Sequence, residues 1–264
     1  MSPIRVAIAG TCGLALLIAR EIHDSTSHQL VVLSRTVGHT YLECTTVLLT
    51  QHKHQSVLMS QGYQCQTVDY NKPSSLQHAL MGVDTVISTV TGDSQLRLIE
   101  AAIQCRVRRF APAEFEGRPR LRGQNDILDR GRNAALDMLR HYRRYIQSTV
   151  YVCGIFYERF AVNGLHSHRI GIGTGLEGEG SFIADLRNMQ AIAPVYDAAQ
   201  NYSYLCMTSI HDVARFVVRS LDMSNWPPEM SMCGERMSVN ALVQTMVACR
   251  GLSSSSLVLL QGSY

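Results

Sequence analysis

Two glycines and an arginine carry the strongest chemical signal in this chain. Gly10 closes the extended, apolar run Ile4-Arg5-Val6-Ala7-Ile8-Ala9, and Gly13 opens a helical pattern just beyond it. A glycine at the first position can take the positive φ needed to leave a strand sharply. At the second it leaves room for a diphosphate against helical N–H groups that favour an anion. The following strand ends on Ser34-Arg35. An acid placed about 20 residues past such glycines holds a ribose 2'-hydroxyl, whereas an arginine accommodates a 2'-phosphate. The guanidinium grips phosphate bidentately and stacks on adenine, so the pattern predicts a dinucleotide, NADP(H) in preference to NAD(H). The alternative readings are an ordinary strand-to-helix turn and a solvated arginine at a strand end.

Groups able to move a proton are sparser. Tyr157 and Glu158 follow Gly154 closely, and His211-Asp212 opens an amphipathic stretch over residues 212–221. His211 is a candidate proton donor, while Ser209 or Asp212 is more simply read as the cap of that helix. Lys53 and Lys72 are the only lysines, and the residues four before them are Leu49 and Val68. A Y-x-x-x-K pair, in which lysine lowers a tyrosine pKa, is therefore absent. Neither His52 with His54 nor His166 with His168 has metal-ligand spacing, so no metal is expected. The eight cysteines are scattered with no C-x-x-C pair and read as reduced, mostly buried thiols.

The elements that must position these groups alternate as a parallel sheet requires. Strands are expected at 4–9, 29–34, 64–68, 84–90, 108–112 and 149–153, with helices at 13–23, 74–81, 95–104 and 126–145. Right-handed crossovers gather the C-terminal strand ends on one rim, where ligands bind. The fold class that follows is α/β, a doubly wound parallel Rossmann sheet with a small C-terminal substrate lobe. Residues 1–155 form the dinucleotide domain, 156–252 a substrate lobe interleaved with the sheet, and 253–264 a loose tail. Residues 36–60 make an unusually long link inside the first domain. The glycine-rich run from Gly171 to Gly180 imitates a nucleotide loop but lacks the flanking strand and helix, so it reads as a flexible turn beside the substrate cleft.

At 264 residues with 46% hydrophobic content, the chain can bury a sizeable core. Its net charge of +3 is small, and acids interrupt the basic residues between Arg106 and Arg144, which argues against nucleic-acid binding. No apolar run approaches the roughly 18 residues of a membrane span. A soluble, cytoplasmic protein is expected.

Three segments resemble the NmrA-like and isoflavone-reductase-like group of atypical short-chain dehydrogenases, particularly its fungal members. They are Ala9-Gly10-Thr11-Cys12-Gly13-Leu14-Ala15, Val86-Ile87-Ser88-Thr89-Val90-Thr91-Gly92 and Arg109-Phe110-Ala111-Pro112-Ala113-Glu114-Phe115. The last is similar to the group's R-F-x-P-S-E-F segment. Relative to the group, residues 36–60 look inserted and the C-terminal lobe shortened.

The resemblance implies that Gly10, Thr11, Cys12, Gly13 and Leu14 line the pyrophosphate and that Arg35 meets the 2'-phosphate. It also implies that Ser88, Thr89 and Val90 border the adenosine side, and that Pro112, Ala113, Glu114 and Phe115 sit near the nicotinamide. Cys153-Gly154-Ile155-Phe156-Tyr157 matches the loop that closes over nicotinamide and substrate, although Gly154, Ile155 and Phe156 can equally be read as core packing. Arg130 takes the place of the group's catalytic lysine, and with a pKa above about 12 it is a poor proton donor. The expected function is NADPH-dependent reduction of a small, secondary-metabolite-like carbonyl or enone, with Arg130, Tyr157 or His211 assisting. The alternative is a regulator that senses dinucleotide without turning it over and binds a protein partner.

Overall fold

In the computed structural model the described residues are 2–11, 13–35, 59, 62–123, 126, 129–172, 174–185, 187–188, 190–197, 199–249 and 258–260. Cys12 and nearly all of 36–60 lie outside them. The chain divides into two compact units, Met1–Val152 with Ala214–Met230, and Cys153–Val213 with Ser231–Tyr264.

In the first unit, β1 (Arg5–Ala9), β2 (Gln29–Arg35), β3 (Gln64–Val68), β4 (Thr85–Ser88), β5 (Arg109–Ala111) and, after the short β6 (Phe115–Glu116), β7 (Gln147–Ser148) are defined. Six of these form one sheet in the order β3-β2-β1-β4-β5-β7, every pairing parallel. This is the doubly wound order, and it reverses direction between β1 and β4, where a crevice opens at the strand ends. Alternate strand residues serve opposite faces. Ala7, Ala9, Val31 and Leu33 join one apolar cluster with Leu76 and Leu80 of α2 (Pro73–Leu80), Leu98 and Ile99 of α3 (Asp93–Gln104), and Leu139 of α4 (Arg132–His141). Val6, Ile8 and Val32, of the opposite parity, are buried too, as are Ile18 and Ile22 of α1 (Leu14–Ser25). Helical cover on both faces is what a parallel sheet requires.

Several expected boundaries move. The helix foreseen at 126–145 begins only at Arg132, because Arg130 (φ 46°) and Gly131 (φ 77°) are left-handed. The Asp129 carboxylate accepts the N–H groups of Gly131 (3.2 Å) and Asn133 (3.0 Å), fixing that start. The strand foreseen at 149–153 starts two residues early and is split by Thr149, which is fully buried. Residues before it join the main sheet. Those after it, β8 (Val150–Val152), pair in parallel with β6, and the Val150 N–H donates to Pro228 O at 3.1 Å.

Residues 214–230 return to the first unit instead of belonging to the lobe. The buried Arg109 guanidinium explains this, donating to the carbonyls of Leu221 (2.9 Å), Met223 (2.5 Å) and Ser224 (3.0 Å), with Trp226 5.3 Å from it.

The second unit contains β9 (Ile155–Phe156), β10 (Ala184–Asp185), β11 (Gln190–Ile192) and β12 (Tyr204–Thr208); β13 (Glu229–Ser231) comes next in sequence and pairs with β8. The unit resumes with β14 (Glu235–Ser238), α6 (Val239–Cys249) and β15 (Val258–Leu260). Sheets β14-β12-β9 and β10-β11-β15 share a core of Ala184, Ala191, Met207, Leu242, Val243 and Met246. The expected loose tail thus contains a strand, β15, parallel to β11.

Cys206 and Cys233 are also not free thiols. The antiparallel pairing of β12 with β14, which Cys233 precedes by two residues, brings their Cα atoms to 5.7 Å and they are disulfide-bonded. Cys65, Cys105, Cys153 and Cys249 are not in disulfides, and among the described residues no cluster could hold a metal. Around Gly171 the chain is a turn, with the Thr174 hydroxyl donating to Gly171 O (2.6 Å) and accepting from Leu176 N–H (3.2 Å). Among the described residues no helix is long and apolar enough to cross a membrane.

Candidate functional site

Close packing explains the first glycine. Gly10 has φ 127°, and a Cβ there would lie 2.1 Å from Thr89 Oγ1. The Thr89 hydroxyl and N–H both donate to Ala9 O at 2.9 Å, locking the ends of β1 and β4 together. Gly13 (φ 59°, ψ −130°) stands immediately before α1, whose first turn has neither a side-chain cap nor an acid. The orphan N–H groups of that turn and the positive end of the helix dipole are therefore available to an anion. Arg35, exposed, ends the adjoining β2. Ser34 is buried beside it, and Leu14 is buried in the helix.

The ends of β4 and β5 form the rest of this rim. Ser88 is fully buried, its hydroxyl donating to Val90 O at 3.0 Å, so its polar group is turned inward. Beyond Val90, Gly92 (φ 67°) precedes α3 and carries Arg130 and Gly131 against it. A Cβ on Gly131 would be 3.2 Å from Gly92 Cα, and one on Gly92 3.8 Å from Arg130 O. The structure thus brings the exposed Arg130 to the same rim as the glycine turn. Gln95, fully buried in the first turn of α3, accepts the Ala113 N–H at 2.7 Å and ties β5 to it.

The side chains of the Pro112–Phe115 segment are committed inward. Glu114 is 2% exposed; it accepts from the Arg122 guanidinium, and Arg132 is 4.0 Å away. Burial pushes the Glu114 carboxyl upward against the pull of Arg122 and Arg132. Phe115 stacks on Tyr151 at 5.6 Å. Any contact of this segment with a cofactor therefore falls to its backbone and to Pro112 and Ala113.

Tyr157 and His211 belong to the second unit. Gly154 (φ 69°) is needed where it stands, since a Cβ would meet Cys206 O at 2.2 Å. Ile155 and Phe156 pair with Met207 and Thr208, placing Phe156 in the interior. The Tyr157 hydroxyl donates to Glu235 Oε2 at 3.4 Å. Burial, then the Glu235 charge and hydrogen bond, push this phenol above its ordinary value, so it stays protonated at neutral pH. The Glu158 carboxylate accepts from Ile210 N–H (3.2 Å) and Ser209 OH (2.9 Å), capping α5 (Ile210–Ser220). That role leaves it no catalytic task. Exposed His211 donates its backbone N–H to Ser209 Oγ at 3.2 Å.

Gln95 and Asp129 were not singled out from sequence. Gln95 had a signal, because it occupies the apolar stripe shared by Leu98, Ile99 and Ala102, where a polar residue needs an internal partner. Asp129 had none, since an acid before a helical pattern is common.

Comparison with a solved isoflavone reductase gives a TM-score of 0.73, covering 99% of this chain and 80% of that one at 14% identity. The fold is isoflavone-reductase-like. A second structure, AtPrR2 with NADP+ and (+)pinoresinol, matches this isoflavone-reductase-like chain with a TM-score of 0.72 and 18% identity, covering 99% of it and 80% of AtPrR2. In sequence the chain is similar to oxidoreductase BOA1 of Botryotinia fuckeliana, 24% identical over 249 residues, covering 89% of this chain and 72% of that protein. No family model matches.

Proposed function

We propose that this protein binds NADP(H) and uses NADPH to reduce a small carbonyl or enone compound. The observation that carries this reading is the conjunction, within one unit, of an uncapped α1 N-terminus behind Gly10 and Gly13 with Arg35 ending the adjoining strand. The first suits a diphosphate and the second a ribose phosphate. AtPrR2, with NADP+ and (+)pinoresinol bound, supports both the cofactor and a small-molecule substrate.

When bound, a reduced nicotinamide supplies hydride, and the acceptor oxygen then needs a proton. Tyr157 is the group suited to give it, with His211 as a second candidate. Arg130 holds an oxygen-rich substrate or the cofactor ribose, a guanidinium being a poor proton donor. Gly154, Ile155 and Phe156 line the substrate side in this reading. The presence of arginine at position 130 favours one further reading, a dinucleotide-sensing regulator acting on a protein partner.

Arg35→Asp tests the assignment of cofactor. Titrated by fluorescence or calorimetry, the variant should lose about 100-fold in affinity for NADP(H) and little for NAD(H). Equal losses for both would refute it. NADPH consumption with a panel of carbonyls and enones then separates a reductase from a sensor, which binds and does not turn over.

A further inference from the structure

Beside Arg35 lies a buried hydroxyl without a partner. Tyr70 follows β3 by two residues and is 5% exposed, its ring in the apolar cluster of Leu33, Val68, Leu76 and Leu80. Among the described residues its hydroxyl has no hydrogen-bond partner. The parallel register pairs Arg35 with Val68, so Tyr70 sits at the end of β3 that adjoins Arg35. The turn that carries it is held firmly. Asp69 accepts the Asn71 N–H at 2.9 Å, its carbonyl accepts the Lys72 N–H at 3.0 Å, and its own N–H donates to Ser75 Oγ at 3.1 Å. The hydroxyl is thus fixed in place by an ordered backbone rather than left unpaired by a loose one.

A buried hydroxyl with no partner is a rare expense, and in a folded protein it calls for an explanation. Burial pushes this phenol up to about 12, against the opposing positive charge of Arg35. It therefore stays protonated across the physiological range and acts toward an anion as a donor. Arg35 itself is exposed at the end of the strand beside β3, close enough for its charge to act on the phenol.

We propose that Tyr70 is a second determinant of cofactor choice, its hydroxyl donating to the phosphate on the adenosine ribose alongside the Arg35 guanidinium. The inference rests on the NADP(H) reading above and adds to it a residue that touches the ligand. It explains why the chain tolerates an unsatisfied hydroxyl at a strand end, since the bound nucleotide supplies the missing acceptor.

Wild-type and Tyr70→Phe proteins should be titrated with NADP+ and NAD+, and their thermal midpoints measured without nucleotide. The phenylalanine keeps the ring and removes only the hydroxyl. Expected are an NADP+ affinity about tenfold weaker, an unchanged NAD+ affinity, and a midpoint raised by about 2 to 4 °C because an orphan donor has gone. A purely structural hydroxyl would instead lower the midpoint and leave the NADP+/NAD+ ratio unaltered, and either result overturns the proposal. A variant that keeps the wild-type preference for NADP+ overturns this inference alone. A folded wild-type protein that binds neither nucleotide overturns the cofactor reading and this inference with it.

Discussion

Gly10 shows how one residue type is dictated from two directions at once. Its φ of 127° is open to glycine and strained for any L side chain, and the space a Cβ would occupy is taken by the Thr89 hydroxyl. Gly10→Ala should therefore cost about 2 to 5 kcal/mol of stability in urea unfolding, part from backbone strain and part from the clash. Adding Thr89→Ala should recover the clash portion, and a double variant no more stable than Gly10→Ala would show that the contact is not the cause. At this scale the sequence was informative where the backbone excludes other residue types, as at Gly10 and Gly13, both at positive φ. It was uninformative for Glu114. A carboxylate beside a strand end reads the same whether it faces a cofactor or, as here, the guanidinium of Arg122.

Elements were legible in the same uneven way. β3 falls on residues 64–68 as the apolar alternation and the Asp69 turn require, and the α3 pattern is strong enough to place that helix within two residues. The start of α4 could not be read, because the left-handed Arg130-Gly131 pair interrupts a periodicity that continues through it. Nor could the antiparallel β12–β14 pairing, whose strands are short and separated in the chain by α5 and β13, so that no local turn signature announces it. The disulfide between Cys206 and Cys233 depends on that pairing and so was hidden with it. It closes a loop across a sequence separation of 27, for which loop entropy alone gives about 3 to 4 kcal/mol. The bond also lies against functional candidates. Cys206 O backs Gly154, and a Cβ on Gly234 would come within 3.4 Å of the Tyr157 ring. Cys233→Ser, or a dithiol reductant, should lower the unfolding midpoint and raise the KM of the proposed reductase activity, with a smaller effect on NADP+ affinity. An unchanged midpoint under reduction would mean that the bond does not constrain the second unit.

For the whole molecule, the parallel order β3-β2-β1-β4-β5-β7 places the C-termini of these six strands on one rim. Gly10 with Gly13, Arg35, Thr89 and Arg130 come from four separate stretches of chain, and the topology alone explains why they share that rim. That convergence was legible in the sequence, since alternating strand and helix patterns admit few arrangements. The division into units was legible only roughly. The segment Ala214–Met230 belongs with the first unit because the Arg109 guanidinium holds three of its carbonyls, a link across more than 100 residues that no local pattern records. The account depends on the rim of the first unit receiving a phosphorylated dinucleotide. Equilibrium titration of the folded protein with NADPH, NADP+, NADH and NAD+ tests this most directly. The phosphorylated pair should bind in the micromolar range and at least about tenfold more tightly than the unphosphorylated pair. Absence of binding by all four at millimolar concentration, or preference for NADH and NAD+, would contradict it.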